Sequence, residues 1–199
     1  MERLRRLRRS AAIRDMVRET HLRIDELVYP VFVAEGIDEP RAVESMPGVF
    51  QEPLSRVPEL ADAVASAGIK AVLLFGIPLR KDETGSASFD DDGIVPRAIR
   101  AIKSRRPEMV VIADTCLCEY TSHGHCGLVE DGAILNDETL PVLAKAAVAY
   151  ARAGADRHAG THGHLFRNHR RELPCGSDSV AAGPAGRAGL AQGRAQRRV

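Results

Sequence analysis

The stretch KAVLLFGI at residues 70–77 decides the fold class of this chain. It is a short apolar run closed by a Gly-Ile-Pro turn signal, which predicts a buried strand. Residues 57–67 precede it with apolar side chains at helical spacing and stop before Gly68, as a helix with a glycine at its end does. A helix followed at once by a buried strand is typical of an α/β fold.

Upstream of this unit, residues 27–33 (LVYPVFV) are β-branched and aromatic and predict a first strand. Pro30 within it is best tolerated near an end or a bulge. Residues 46–49 (MPGV) predict a turn. The chain therefore begins its regular structure as strand, turn, helix and strand.

Downstream, a polar loop over 81–93 leads into a helix predicted at 95–105, and MVVIAD at 109–114 predicts a third strand. A third helix is predicted from about Asp137, as its N-cap, to Arg152. Strands that alternate with helices form a parallel sheet, whose active face lies at the carboxyl ends of the strands.

The periodic pattern weakens after Asp156, where a fourth strand should begin. Residues 157–199 contain no lysine, isoleucine, methionine or tyrosine and are rich in alanine, glycine and arginine. A segment with few large apolar residues cannot bury a core, so we expect no fourth strand and a disordered tail. The predicted parts are an arm over 1–22, a barrel portion over 23–156 and the tail over 157–199.

Composition restricts the partners. The chain of 199 residues has a formal net charge of +1, so it lacks the broad positive field that attracts nucleic acid or anionic membranes. No apolar run approaches the roughly 20 residues that cross a bilayer, and the arginine-rich start lacks the apolar core of a signal peptide. We expect a cytoplasmic protein with a small-molecule partner. The basic and apolar residues of 1–22 suggest nucleic-acid binding or an arm packed on a subunit, and we favour the arm.

Cysteines are concentrated in DTCLCEYTSHGHCG, residues 114–127, directly after the third predicted strand. Clustered cysteines in a reducing compartment indicate metal ligands or reactive thiols. Cys116, Cys118 and Cys126 would leave one position of a tetrahedral zinc site open for water or substrate. The spacing alone also fits a closed site completed by His123, His125 or Cys175, or buried thiols without metal.

The chain resembles the porphobilinogen synthase family, also called delta-aminolevulinic acid dehydratase, in its zinc-dependent form. The resemblance covers about residues 5–156. It is carried by RRLRRS at 5–10, YPVFV at 29–33, MPGV at 46–49, FGIP at 75–78, KD at 81–82 with GS at 85–86, and the whole cysteine segment.

The resemblance implies a TIM (β/α)8 barrel of which this chain carries the arm and the first three to four β/α units. It implies condensation of two 5-aminolevulinate molecules to porphobilinogen, by a homo-octamer held together through its arms. Cys116, Cys118 and Cys126 would bind the catalytic zinc, and Asp114 would line the active site. Mg²⁺ also serves some members, through ligands that do not match here.

The family's chemistry needs lysines that hold substrate as Schiff bases, a form of covalent catalysis. Lys70, Lys81, Lys103 and Lys145 match none of those positions, so we expect this chain to be inactive. The tail resembles coding sequence read out of frame, and we expect a frameshift near the codon for Asp156. The alternative to an enzyme is a non-catalytic fragment that binds zinc or other subunits.

Overall fold

The computed structural model of the chain describes residues 5–160. In that range the strands are β1 Val28–Ala34, β2 Arg41–Ala42, β3 Phe50–Pro53, β4 Ala71–Ile77, β5 Val110–Asp114, β6 Leu128–Glu130, β7 Ala133–Leu135 and β8 Arg157–Ala159. The α-helices are α1 Ala11–Met16, α2 Val57–Ser66, α3 Ile94–Arg105 and α4 Asn136–Ala153. Of the disordered tail predicted over 157–199, residues 157–160 are described, and residues 161–199 lie outside the described residues.

One sheet organises the described part of the chain, with strand order β2-β3-β1-β4-β5-β8. β1 pairs with β4, β4 with β5 and β5 with β8, in each case in parallel. Parallel neighbours in chain order, joined by helices, are the repeating unit of the TIM barrel. The predicted α/β fold of that family is therefore confirmed, with four successive barrel-type strands. β3 pairs with the last three residues of β1 on its other side.

The alternation of burial along β4 explains how the sheet holds its helices. Val72 and Leu74 are fully buried on the face that packs against the helices, whereas Leu73 and Phe75 on the opposite face are half-buried. Phe75 stacks on Phe32 of β1 with ring centroids 5.0 Å apart. The predicted buried strand is thus buried fully on one face only.

The helices bury one apolar stripe each, as surface helices do. In α3 the stripe comprises Ile94, Val95, Ala98, Ile99 and Ile102. The predicted helix bounds at 57–67 and 95–105 agree with α2 and α3 to within one residue at each end. Within residues 5–160, no helix has both the length and the apolar character that a membrane span requires.

A pair of buried tyrosines connects α4 to the segment that follows β5. Tyr150 of α4 donates a hydrogen bond to the hydroxyl of Tyr120 at 3.3 Å, and both side chains are buried. Burial raises the pKa of both hydroxyls, so both remain protonated at neutral pH. Gly76 of β4 makes room for this pair, because a Cβ there would lie 2.4 Å from the Tyr120 Oη.

The start of α4 differs from the prediction. The helix begins at Asn136, and Asp137 lies in its first turn rather than at the N-cap. A hairpin that we did not predict, β6 to β7, delivers the chain there through Asp131 and Gly132, both at positive φ. Aspartate followed by glycine is a strong hairpin signal, and it could have been recognised in the sequence.

The expectation that no fourth strand follows Asp156 is wrong. Residues 157–159 form β8, which pairs with β5 from Ile112 to Asp114. Asp156 lies directly before this strand, and its carboxylate accepts hydrogen bonds from Lys103 Nζ at 2.6 Å and from the Val111 N–H at 2.7 Å. The sequence of residues 157–159 does not indicate a strand. So short a strand forms because β5 offers it hydrogen-bond partners, and its own side chains contribute little.

Replacing Asp156 with alanine should lower the free energy of unfolding by about 1–2 kcal/mol, because it leaves the Val111 N–H and the Lys103 ammonium without this acceptor. Burial acts to raise the pKa of Asp156, but the bonds from Lys103 and Val111 outweigh it and the folded-state pKa is lowered. The stabilisation is therefore present above the unfolded-state pKa and is lost as the pH falls through the folded-state pKa.

Urea titrations of Asp156→Ala beside Glu39→Ala, an exposed carboxylate, measure this effect. The difference in the free energy of unfolding between the two variants should become smaller at acidic pH. Equal stability of both variants at neutral pH would show that Asp156 does not anchor β8.

Candidate metal centre

The cysteine cluster lies at the carboxyl end of β5. This strand ends with Asp114, and Cys116 and Cys118 follow two and four residues later. Cys116 is buried and Cys118 and Cys126 are half-buried, all three as reduced thiols. Their sulfurs lie within 4.8 Å of one another, with Cys116 Sγ 3.3 Å from Cys118 Sγ.

The loop between Cys118 and Cys126 is closed by local hydrogen bonds. The N–H groups of Tyr120 and Thr121 both donate to the Leu117 carbonyl at 2.9 Å. The buried Thr121 hydroxyl then donates to the carbonyl of His125 at 2.8 Å. Gly124, at a φ of 72° that favours glycine, completes the turn. This reversal returns the chain so that Cys126 meets the other two sulfurs.

The donor set fits zinc. Thiolates at about 2.3 Å from a tetrahedral zinc ion are separated by about 3.8 Å. The sulfurs here are already close to that spacing, since all lie within 4.8 Å. Contact with the Cys116 thiol, then contact with Cys126 and burial, raise the pKa of Cys118, so in the absence of metal this thiol holds its proton. Metal binding at such a site must displace that proton, and thiolate sulfur suits a soft cation.

Asp114 occupies the position predicted for it beside the thiols. Its carboxylate is buried, and its Oδ2 accepts a hydrogen bond from the Cys116 N–H at 3.3 Å. This bond spans two residues and is the turn-capping role that aspartate often has at a strand end. A carboxylate oxygen of Asp114 also lies within 4.8 Å of the Cys116 sulfur.

Glu119 is a site residue that the sequence reasoning missed. Its Oε2 accepts a hydrogen bond from the Cys118 thiol at 3.2 Å. Burial, and then the neighbouring Cys116, raise the pKa of this carboxyl. With Asp114 and Cys116 it forms a second group of potential metal donors that shares one sulfur with the first. Its place directly after the C-x-C pair was the available signal.

The two loop histidines contact each other, and His123 also contacts the loop after β4. Because the N–H of His125 donates to Nδ1 of His123 at 3.2 Å, the Nε2 of His123 carries the proton and contacts the Glu83 carbonyl at 3.3 Å. In the part of the chain that the structure describes, neither ring belongs to a group of potential metal donors. The geometry therefore disfavours a closed site made with His123 or His125, whereas Cys175 lies outside the described residues.

The chain is similar to proteins of one known family. A sequence profile described as "Delta-aminolevulinic acid dehydratase" matches residues 1–162. A delta-aminolevulinic acid dehydratase of Halalkalibacterium halodurans is 54% identical over 155 residues, which are 78% of this chain and 47% of that protein. The Escherichia coli protein of the same name is 49% identical over 156 residues, covering 78% and 48% of the two chains.

A solved structure shows the same relationship. The Toxoplasma gondii delta-aminolevulinic acid dehydratase, crystallised with its reaction product porphobilinogen, matches with a TM-score of 0.74 and 35% identity over 81% of this chain and 47% of that one. The chain thus spans about half the length of the relatives it matches. The profile nevertheless covers most of this sequence, and the chain belongs to the delta-aminolevulinic acid dehydratase family.

Proposed function

We propose that Cys116, Cys118 and Cys126 form the zinc site of a porphobilinogen synthase, which condenses two 5-aminolevulinate molecules to porphobilinogen in tetrapyrrole biosynthesis. The observation that carries this proposal is the convergence of three thiols within 4.8 Å at the carboxyl end of a parallel strand, in a chain of this family. Active sites of α/β barrels lie at that end of the strands. Three sulfur ligands favour zinc over Mg²⁺, which prefers oxygen.

Zinc bound there supplies a Lewis acid that polarises a carbonyl or lowers the pKa of a bound water. The residues of the chain provide the surroundings for this chemistry. The buried carboxylate of Asp114 places a negative charge beside the thiols, where it would stabilise cationic amine or iminium states of the substrate. Glu119 adds a second carboxylate on Cys118.

Two of the four lysines of this chain have other contacts, and Lys70 and Lys81 are exposed. Lys103 is held by Asp156 at 2.6 Å and by the Met109 carbonyl at 2.8 Å, and Lys145 lies 5.5 Å from the ring centre of Phe89. Lys81 is near enough to Glu119 to act on its charge, but it is exposed in the loop after β4. We therefore propose that the 199-residue chain does not turn over 5-aminolevulinate.

A second function, subunit association through the arm, is favoured by a different observation. Leu7, Met16 and Leu22 are exposed by 61%, 85% and 82% of their surfaces. Apolar side chains in such number on one short segment mark a protein contact. We propose that the arm packs on further copies of the chain, up to the octamer of the family, in the cytoplasm.

Purified chain with added zinc should form no porphobilinogen from 5-aminolevulinate, whereas a full-length family enzyme assayed in parallel should form it readily. The same preparation should bind about one zinc per chain. Product formation by the 199-residue chain would refute the inactivity proposal, and absence of zinc binding by folded protein would refute the zinc site. Light scattering of the sample measures association through the arm.

A further inference from the structure

The loop after β4 runs directly against the segment that connects the cysteines. The N–H of Asp82 contacts the Tyr120 carbonyl at 3.3 Å, and the N–H of Ser122 donates to the Asp82 carbonyl at 2.8 Å. These bonds form an isolated parallel bridge between Asp82 and Thr121. The two loops are thus joined through their backbones, although 38 residues separate Asp82 from Tyr120 in the numbering.

The side chain of Asp82 organises its own loop. Its Oδ1 accepts hydrogen bonds from the N–H groups of Thr84 and Ser86, both at 3.0 Å, and from the Thr84 hydroxyl at 3.1 Å. Its Oδ2 accepts from the Ser86 hydroxyl. The Ser86 hydroxyl and then the Ser86 N–H lower the pKa of Asp82 to about 2. The exposed carboxylate is therefore committed to four donors of one short loop.

This turn places Gly85 against the cysteine segment. Gly85 is buried at a φ of +64°, and a Cβ there would lie 3.4 Å from side-chain atoms of Tyr120 and Thr121 and 3.5 Å from Leu117. The backbone of the loop can approach so closely because no side chain intervenes. The bonds made by Asp82 thus determine the surface on which the segment after Cys116 rests.

The contact continues to the third cysteine. Thr121, which lies opposite Asp82 in the bridge, donates its hydroxyl to the carbonyl of His125, the residue before Cys126. His123 makes a second connection between the loops through the Glu83 carbonyl. A continuous set of short contacts therefore leads from the Asp82 carboxylate to the position of Cys126.

We propose that Asp82 is a positioning residue for the metal centre, holding the chain between Cys118 and Cys126 in the arrangement that brings the sulfurs together. The inference rests on the proposed zinc site and adds to it a residue that contacts none of the thiols. Sites are tightest when their supporting contacts hold them in place before the ligand binds. Asp82, in the charged run 81–83, thus has a structural use, whereas Asp90 in the run 90–92 caps only its own turn.

Asp82→Ala tests the proposal, with Asp90→Ala as the matched control. Asp90 Oδ1 accepts from the Asp92 N–H at 2.9 Å, a similar local bond in the same long loop. Zinc affinity is measured by chelator competition in the full chain. Asp82→Ala should weaken it by about tenfold, as loss of an outer contact does, and Asp90→Ala should leave it unchanged.

The visible spectrum of bound Co²⁺ provides a second measurement, which a general loss of stability would not change. At saturating Co²⁺, Asp82→Ala should alter the energies of the visible bands, because the sulfurs are held differently, whereas Asp90→Ala should retain the wild-type spectrum. Thr121→Val, which removes the hydroxyl bonded to His125, should resemble Asp82→Ala, and Thr121→Ser should restore the wild-type behaviour. The double variant of Asp82→Ala and Thr121→Val should lose less than the sum of the single losses.

Wild-type zinc affinity and cobalt spectrum in folded Asp82→Ala would overturn the inference while leaving the zinc site intact. If the wild-type chain itself binds no zinc, the proposed site fails instead. If Asp82→Ala does not fold, Ser86→Ala replaces it in the experiment. This variant removes only one donor to the Asp82 carboxylate and should therefore disturb the fold less. An unchanged affinity and spectrum in Ser86→Ala would then contradict the proposal.

Discussion

Zinc binding should fall by at least about a hundredfold when Cys116 is replaced with serine, more than the loss of an outer contact produces. Cys116 is the most buried of the three thiols and belongs to both groups of potential donors, so no other arrangement of the described residues replaces it. A serine hydroxyl is a poor ligand for a soft cation. Zinc content of the purified protein and chelator competition measure the loss.

Cys175→Ser is the control for this experiment. It removes a thiol from the part of the sequence that follows the described residues, and it should bind zinc as the unaltered chain does. Wild-type affinity in Cys116→Ser would contradict the proposed ligand set. A large loss in Cys175→Ser would instead indicate a closed site with four sulfurs. A shift of the cobalt spectrum on adding a small competing ligand would support the open fourth position.

Replacing Gly76 with alanine should destabilise the fold by about 3 kcal/mol or prevent folding. Side chains on two sides already occupy the space that the new Cβ would need. A Cβ at this position would lie 2.4 Å from the Tyr120 Oη and 2.4 Å from the Val95 Cγ2. Both neighbours are buried, so neither can move without disturbing the core. Thermal and urea unfolding of the purified variant measure the effect.

Gly124→Ala is the matched control, because nothing lies within 4 Å of the Cβ that it would add. It carries only the strain of a positive φ and should cost about 1 kcal/mol. Tyr120→Phe alone should also destabilise the fold, because it removes the acceptor of the Tyr150 hydroxyl. The double variant of Gly76→Ala and Tyr120→Phe should lose less than the sum of the two single losses, because the hydroxyl that the new Cβ would meet is gone. Stability of Gly76→Ala within 1 kcal/mol of the unaltered chain would show that β4 and its neighbours pack differently.

The fold class could be predicted because strands and helices of α/β proteins carry local signals. β4 is an apolar run, α2 ends before Gly68, and α3 has a continuous apolar stripe. The strands β2 and β3, the hairpin β6 to β7 and β8 escaped prediction, the last two for different reasons. The hairpin β6 to β7 had a signal at Asp131 and Gly132 that was not used, whereas β8 has almost no signal of its own and forms because Asp156 binds Lys103 and the edge of β5.

In the candidate site, too, some features follow from local sequence and others only from tertiary contacts. The sequence alone identified which side chains can bind a soft metal, Cys116, Cys118 and Cys126, and placed Asp114 at the end of a strand, because residue chemistry and strand ends are local properties. Only the tertiary structure decided that the sulfurs converge, that Glu119 joins them, and that Asp82 supports their loop. Those contacts depend on β4 and β5 lying side by side, and the hydrogen bonds between their loops have no counterpart in the pattern of either segment.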